Sequence, residues 1–167
     1  MLKEEVILVN QNDEAIGTMG KLEAHQKGLL HRAFSIFIFN DIKQLLLQRR
    51  ALTKYHSAGL WTNTCCSHPR PLETTLDAAN RRLFEEMGMK TKLIHNISFI
   101  YKTEFDNGLT EHEFDHVYFG TSNANPLINI DEVDSFKWID IDNLKNEIQL
   151  DPNQFTSWFK IAVKKLF

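Results

Sequence analysis

The sequence predicts an α/β protein, a single domain over residues 1–167 in which helices flank a mixed β-sheet as an α/β/α sandwich. Two observations carry this: apolar strand-like runs alternate with helical stretches, and no repeat, low-complexity tract or Pro/Gly/Ser-rich linker divides the chain. Ala33 to Asn40 (AFSIFIFN) reads as a buried strand and Gln44 to Arg49 (QLLLQR) as its hairpin partner, with Asn40 to Lys43 as the turn. Trp61 to Ser67 (WTNTCCS) follows a loop, and Pro69 and Pro71 end any strand there. A helix is expected from about Leu72 to Met87, closed by Gly88, with Leu76, Ala79, Leu83 and Met87 as its apolar stripe. Leu93 to Thr103 and Glu113 to Thr121 read as strands around a turn containing Asn107-Gly108, and Ser135 to Asp140 as another. Asp151-Pro152 suits the N-cap and first position of a last helix, Asn153 to Leu166, where Phe155, Trp158 and Phe159 recur at helical spacing.

Composition narrows the function classes. The apolar fraction of 43% and charged fraction of 25% are those of ordinary globular domains, and no apolar run approaches the roughly 20 residues a membrane helix needs. The N-terminal stretch MLKEEVILVN lacks the apolar core and cleavage site of a signal peptide, so a cytoplasmic, soluble protein without a membrane partner is expected. A formal charge of −3, with lysines and arginines dispersed, gives no attraction to nucleic acid. The only cysteines, Cys65 and Cys66, are adjacent and read as free thiols in a reducing compartment. A monomer is expected.

Chemistry concentrates in a few segments. Ser67 to Met89 (SHPRPLETTLDAANRRLFEEMGM) resembles the Nudix box, Gly-x5-Glu-x7-Arg-Glu-U-x-Glu-Glu-x-Gly-U with U aliphatic; Glu73, Arg81, Leu83, Glu85, Glu86, Gly88 and Met89 match. Ser67 replaces the first glycine, and Arg82 stands where a Nudix hydrolase has the first glutamate of its metal helix. Glutamates three and four residues apart on one helix face hold divalent ions that activate water, so a cation there removes a ligand and adds a phosphate partner. A second group, His25, His31, His68, Glu111 and Glu113, offers three imidazoles and two carboxylates, a donor set that suits Mn²⁺ or Zn²⁺ with more than four ligands. If Thr110 to Phe114 is extended, period two places Glu111 and Glu113 on one face and His112 on the other. The same alternation groups Thr64, Cys66 and His68 and turns Cys65 away, which makes Cys66 the active-site cysteine. The box alone would also suit a pyrophosphohydrolase of a nucleoside diphosphate derivative, against which Arg82 argues, or a non-catalytic diphosphate-binding module.

KGLLHRAFSIFIFN (Lys27 to Asn40), WTNTCCSHP (Trp61 to Pro69), RRLFEEMG (Arg81 to Gly88) and EHE (Glu111 to Glu113) together resemble type 1 isopentenyl-diphosphate δ-isomerase of the Nudix superfamily, over Gly17 to about Phe159. The resemblance implies a Nudix-like fold and isomerisation of a small-molecule substrate, isopentenyl diphosphate, to dimethylallyl diphosphate by antarafacial proton addition and removal. It further implies that Cys66 and Glu113 move the protons, that Trp158 faces the developing cation and that Tyr101 hydrogen-bonds the catalytic glutamate. Lys21, Arg50, Lys54 and Arg82 match the family's anion-binding positions. Mg²⁺ would bridge the diphosphate to Glu86 and to the backbone carbonyl of Cys66, and one Mn²⁺ or Zn²⁺ would lie among His25, His31, His68, Glu111 and Glu113.

Overall fold

The computed structural model describes residues 4–167, so the first three residues of the N-terminal reading lie outside it. Strands β1 (Glu5–Val9) and β2 (Ala15–Gly20) form a hairpin before helix α1 (Lys21–Lys27). Then come β3 (His31–Phe39), β4 (Leu45–Arg50), the short β5 (Trp61–Thr62) and β6 (Cys65–Ser67), and α2 (Thr75–Met87). The chain continues through β7 (Ile94–Glu104), β8 (Thr110–Thr121), β9 (Val133–Ile139), α3 (Ile141–Leu150) and α4 (Ser157–Leu166).

Among the described residues all nine strands belong to one sheet organised around β3, which pairs antiparallel with β1, β4 and β6 and parallel with β8. The parallel pair makes the sheet mixed, as the sequence predicts. β3 is mostly apolar from Ala33 to Phe39, with only Ser35 polar, because both its faces are covered. Phe34, Ile36 and Ile38 pack with Leu46 of β4 against Ala78, Ala79, Leu83 and Met87 of α2. On the opposite face Phe37, Leu45, Leu47 and Val117 pack against Leu144, Phe155, Trp158 and Phe159. Two cores, one per face, therefore clamp β3 and β8, which fixes the residues projecting from these two strands.

The helices depart from the sequence reading in several places. α2 begins three residues late: Leu72 adopts φ 68°, and Thr74 is the N-cap, its Oγ1 accepting from the Asp77 amide at 3.1 Å. Leu76 is exposed, and Ala78 and Glu86 join Ala79, Leu83 and Met87 on the buried side. Gly88 closes the helix in the left-handed region as expected. The last helix is shorter than Asn153–Leu166: Pro152–Gln154 form one 3₁₀ turn, Phe155 is extended at φ −121°, and α4 starts at Ser157. Asp151 makes no side-chain capping bond. Phe155 is still buried, but through a bridge to Trp61 that seats this segment beside β5. The short helices α1 and α3 escape the sequence reading, although α3 is as amphipathic as α2.

Candidate active site and metal centre

The site lies where β3, β6, β7 and β8 meet. Register sets one row of residues across three neighbouring strands: Tyr101 of β7 stands opposite Glu113 of β8, which stands opposite His31 of β3. Alternation along β8 sends Glu111, Glu113 and Asp115 to the buried face, while His112 points away and its Nδ1 meets the Gly28 carbonyl at 3.0 Å. The Tyr101 hydroxyl lies within hydrogen-bond distance of both carboxylates, at 2.6 Å from Glu113 Oε2 and 3.0 Å from Glu111 Oε2. His68 Nε2 reaches Glu113 Oε1 at 2.8 Å, and His31 Nε2 lies 3.5 Å from the same oxygen.

The imidazoles are pre-oriented. His25 Nδ1 donates to the Lys21 carbonyl at 2.6 Å and His31 Nδ1 to the Leu29 carbonyl at 2.8 Å, which leaves each Nε2 as the acceptor. Both Nε2 atoms, and Nδ1 of His68, are buried without a hydrogen-bond partner. The free lone pairs of His25 and His31, each backed by a backbone carbonyl on the far nitrogen, are what a cation of intermediate softness needs. His25, His31, His68 and Glu113 present donor atoms within 4.8 Å of one another. Glu111 falls in a second such group, with His25 and His56. Four of the five residues expected from the sequence share one group, and Glu111 stands in the other, beside a histidine that the sequence reading missed.

The electrostatics follow from burial and neighbours. Burial works to raise the Glu113 carboxyl, but His68 and His31 outweigh it and hold Glu113 well below the usual carboxylate range. Glu111 moves the opposite way, raised by burial and by Glu113. His68 is lowered to about 4, burial being the main cause, so its imidazole is neutral. Burial also raises the Cys66 thiol, with Glu86, Glu113 and Glu111 adding to the rise against Arg50. Cys66 therefore carries its proton across the neutral range.

Cys66 and Cys65 face opposite ways, as alternation requires. Cys66 lines a small chamber of about 70 Å³ together with Glu111, Glu113, Tyr101, Trp158 and Ser35. Cys65 is fully buried in the core against α2, its Sγ 3.5 Å from Glu86 Oε2. Both thiols are free. Thr64 does not share the face of Cys66: its hydroxyl is inserted between β3 and β4, donating to the Leu46 carbonyl at 2.7 Å and accepting from the Ile38 amide at 2.9 Å. Trp158 is buried and presents its ring face to a cation, the Arg50 guanidinium lying 5.2 Å from the ring centroid.

Cations dispersed along the chain converge at the mouth. Lys21, Lys54, Arg82 and His68 border both the inner chamber and a wider outer cavity of about 800 Å³; Arg50 borders the inner one. Arg82 bonds Glu85 at 2.8 Å, pairs with Glu86 and lies 3.5 Å from Glu132, which also pairs with Lys54. Glu86 is fixed by Gln48, whose Nε2 donates to it at 2.9 Å and to the Thr64 carbonyl at 2.8 Å. The box residues Glu73 and Arg81 form a bidentate pair at 2.7 and 2.9 Å that ties the loop before α2 to the helix.

Tyr55, Asp115, Ser35 and His56 at the site were not singled out from the sequence. Asp115 extends the Glu111/Glu113 alternation by one step, and that period was its only signal. It accepts from Ser35 Oγ at 2.8 Å and is raised to about 8 by burial and by Glu113. Ser35 had no signal within an apolar strand. His56 had only its place beside Arg50 and Lys54, in a loop without periodicity.

Comparison with known proteins identifies the family and supports the fold. The family model described as NUDIX domain matches residues 29–159. An isopentenyl-diphosphate Delta-isomerase of Pectobacterium atrosepticum is 52% identical over 97% of this chain and 90% of its own length. Isopentenyl-diphosphate Delta-isomerase 2 of Aromatoleum aromaticum is 49% identical over 99% of this chain and 87% of its own. Among solved structures, DR0079 from Deinococcus radiodurans superposes with a TM-score of 0.83 at 20% identity, over 98% of this chain and 99% of that one, which supports the fold.

Proposed function

The chain belongs to the NUDIX domain family and, within it, to the isopentenyl-diphosphate Delta-isomerases, and we propose on that footing that it converts isopentenyl diphosphate to dimethylallyl diphosphate by a proton shift. The observation that carries this reading is the pairing of a protonated thiol, Cys66, and an ionised carboxylate, Glu113, on one small chamber behind a cationic mouth. A proton added at C4 and one removed from C2 move the double bond from C3–C4 to C2–C3, with no net change in composition. Of Cys66 and Glu113, one delivers the proton to C4 and the other accepts the proton from C2, on opposite faces of the C2–C3–C4 unit.

Protonating an unactivated alkene leaves a tertiary carbocation that water would capture, so the chamber must be dry and must stabilise positive charge without attacking it. Trp158 meets that need, since a cation over a desolvated indole gains up to about 2 kcal/mol. Tyr101 fixes the Glu113 carboxylate through its short hydrogen bond. The diphosphate lies in the outer cavity against Lys21, Lys54 and Arg82, with Arg50 reaching it from the inner chamber, and an approaching anion exchanges with the carboxylates that pair Lys54 and Arg82.

The donor set fits metal: His25, His31, His68, Glu111 and Glu113 would hold Mn²⁺ or Zn²⁺, and Glu86 with the Cys66 carbonyl would share Mg²⁺ with the diphosphate. The first of these ions, when bound, would supply positive charge that tunes the proton affinity of Glu113. Arg82 in place of a glutamate leaves α2 a poorer cage for the ions that activate water, which favours isomerisation over hydrolysis.

The test is incubation with isopentenyl diphosphate in deuterated water, alongside Cys66→Ala and Glu113→Gln. Deuterium at C4 of an allylic product, lost in both folded variants, is expected. Phosphate release without allylic product, or wild-type turnover by Cys66→Ala, would refute the assignment.

A further inference from the structure

Glu111 has a second neighbour besides Tyr101. His56 Nε2 lies 3.5 Å from Glu111 Oε1, and the two share a donor group with His25. The imidazole comes from the connection between β4 and β5, and its setting is specific on every side. It stacks on Phe105 at 5.3 Å and 18°, and meets Trp158 edge-on at 5.7 Å and Tyr55 at 4.6 Å. The carbon surfaces of the ring thus rest on aromatic neighbours, and its polar edge is left toward the carboxylate. The backbone beneath is shaped for this placement. Ser57 takes φ 52° and Gly59 φ 70°, the Gly59 amide donates to the Arg50 carbonyl at 3.0 Å, and Arg50 Nη2 donates back to the His56 carbonyl at 3.3 Å.

We propose that His56 is a positioning residue of the metal centre, its Nε2–H holding the Glu111 carboxylate where it can join His25, His31, His68 and Glu113 around one ion. The proposal rests on the metal-centre reading given above. His56 and Glu111 stand together with His25 in the second donor group, beside the group of His25, His31, His68 and Glu113. His25 cannot serve two ions, since its Nδ1 is committed to the Lys21 carbonyl and only Nε2 is free. The two donor groups therefore describe one centre, with the His56–Glu111 contact at 3.5 Å on its edge. The Nδ1 atom, 3.4 Å from the Ser57 hydroxyl, accepts when Nε2 carries the proton. A histidine that served packing alone would have no reason to present its nitrogen to a buried carboxylate.

The experiment measures Mn²⁺ affinity by competition with a chromophoric chelator for the wild type, His56→Ala and His56→Gln, with the melting midpoint of each metal-stripped protein as the check on folding. Loss of an outer hydrogen-bond partner costs about 10- to 100-fold in metal affinity, which is the drop expected for His56→Ala. The Gln carboxamide has an N–H of similar reach, so His56→Gln is expected to recover most of it. Wild-type Mn²⁺ affinity in His56→Ala overturns the proposal, as does a His56→Gln as weak as His56→Ala. A wild-type protein that binds no Mn²⁺ defeats the metal-centre reading itself, and turnover of isopentenyl diphosphate tests the isomerase reading independently of both.

Discussion

Stripping the divalent ion from the His/Glu centre should lower the thermal stability of the whole domain. His25 Nε2, His31 Nε2 and His68 Nδ1 are buried without hydrogen-bond partners. Each such atom costs about 1–3 kcal/mol when nothing satisfies it. An ion that binds the folded chain alone repays part of that cost, adding about 2.7 kcal/mol at roughly 100 times its dissociation constant. For a domain of this size each kcal/mol moves the midpoint by about 2–4 °C, so reloading should raise it by about 5–11 °C. The assay is a melt of chelator-stripped protein against protein reloaded with Mn²⁺ or Zn²⁺, with Glu113→Ala as the control expected to show little shift. Titration calorimetry should give one ion per chain, because His25 has one nitrogen to offer. Coincident melts of stripped and reloaded wild type, or two tight ions in this group, would refute the reasoning.

Further outcomes follow from the same geometry. Stripped protein should lose stability as pH falls from 6.5 toward about 4, because the unfolded chain protonates His68 before the folded one does; His56, lowered mainly by burial to about 3, extends the loss downward, and urea midpoints across pH measure it. Asp115 acts oppositely: raised from 3.8 to about 8, it contributes stability below pH 3.8 that is lost as pH rises through 8. Asp115→Asn should therefore gain on the wild type as pH rises through that window, by up to about 1.4 kcal/mol for each pH unit, and an equal difference at pH 4 and pH 8 would contradict it. Gly88→Ala should destabilise by at least about 2 kcal/mol in urea unfolding, since its backbone is left-handed and a Cβ would lie 2.7 Å from the Leu127 carbonyl oxygen. Cys65→Ala should keep most turnover while lowering the melting midpoint, whereas Cys66→Ala should lose about 100-fold or more at unchanged fold, as measured by rate assays on both.

Much of this was legible in the order of residues. The apolar runs of β3 and β4, the turn at Asn107-Gly108 and the left-handed stop at Gly88 are local signals, each with its own stereochemical cause, and the strands and α2 appeared where those signals lay. Alternation alone separated Cys66 from Cys65 and Glu111 from His112, because a side chain on a strand has only two directions to take. The box with Arg82 in it set the family and pointed away from hydrolysis. The break of the last helix at Phe155 was hidden, since a 3₁₀ turn and an α-helix share the same opening residues and only the bridge to Trp61 distinguishes them.

What the tertiary structure alone decided is which distant residues meet. Cations spaced across some sixty residues of sequence line one mouth, and the row Tyr101, Glu113, His31 exists only through the pairing of β7, β8 and the parallel β3. His56 joins Glu111 for the same reason: a loop residue has no period to announce its direction, and its ring is set by Phe105, Trp158 and Tyr55, which come from three parts of the chain. Local stereochemistry determined the strands, the principal helix and the choice of cysteine. Long-range packing determined the company each of those groups keeps, and with it the proton affinities on which the chemistry depends.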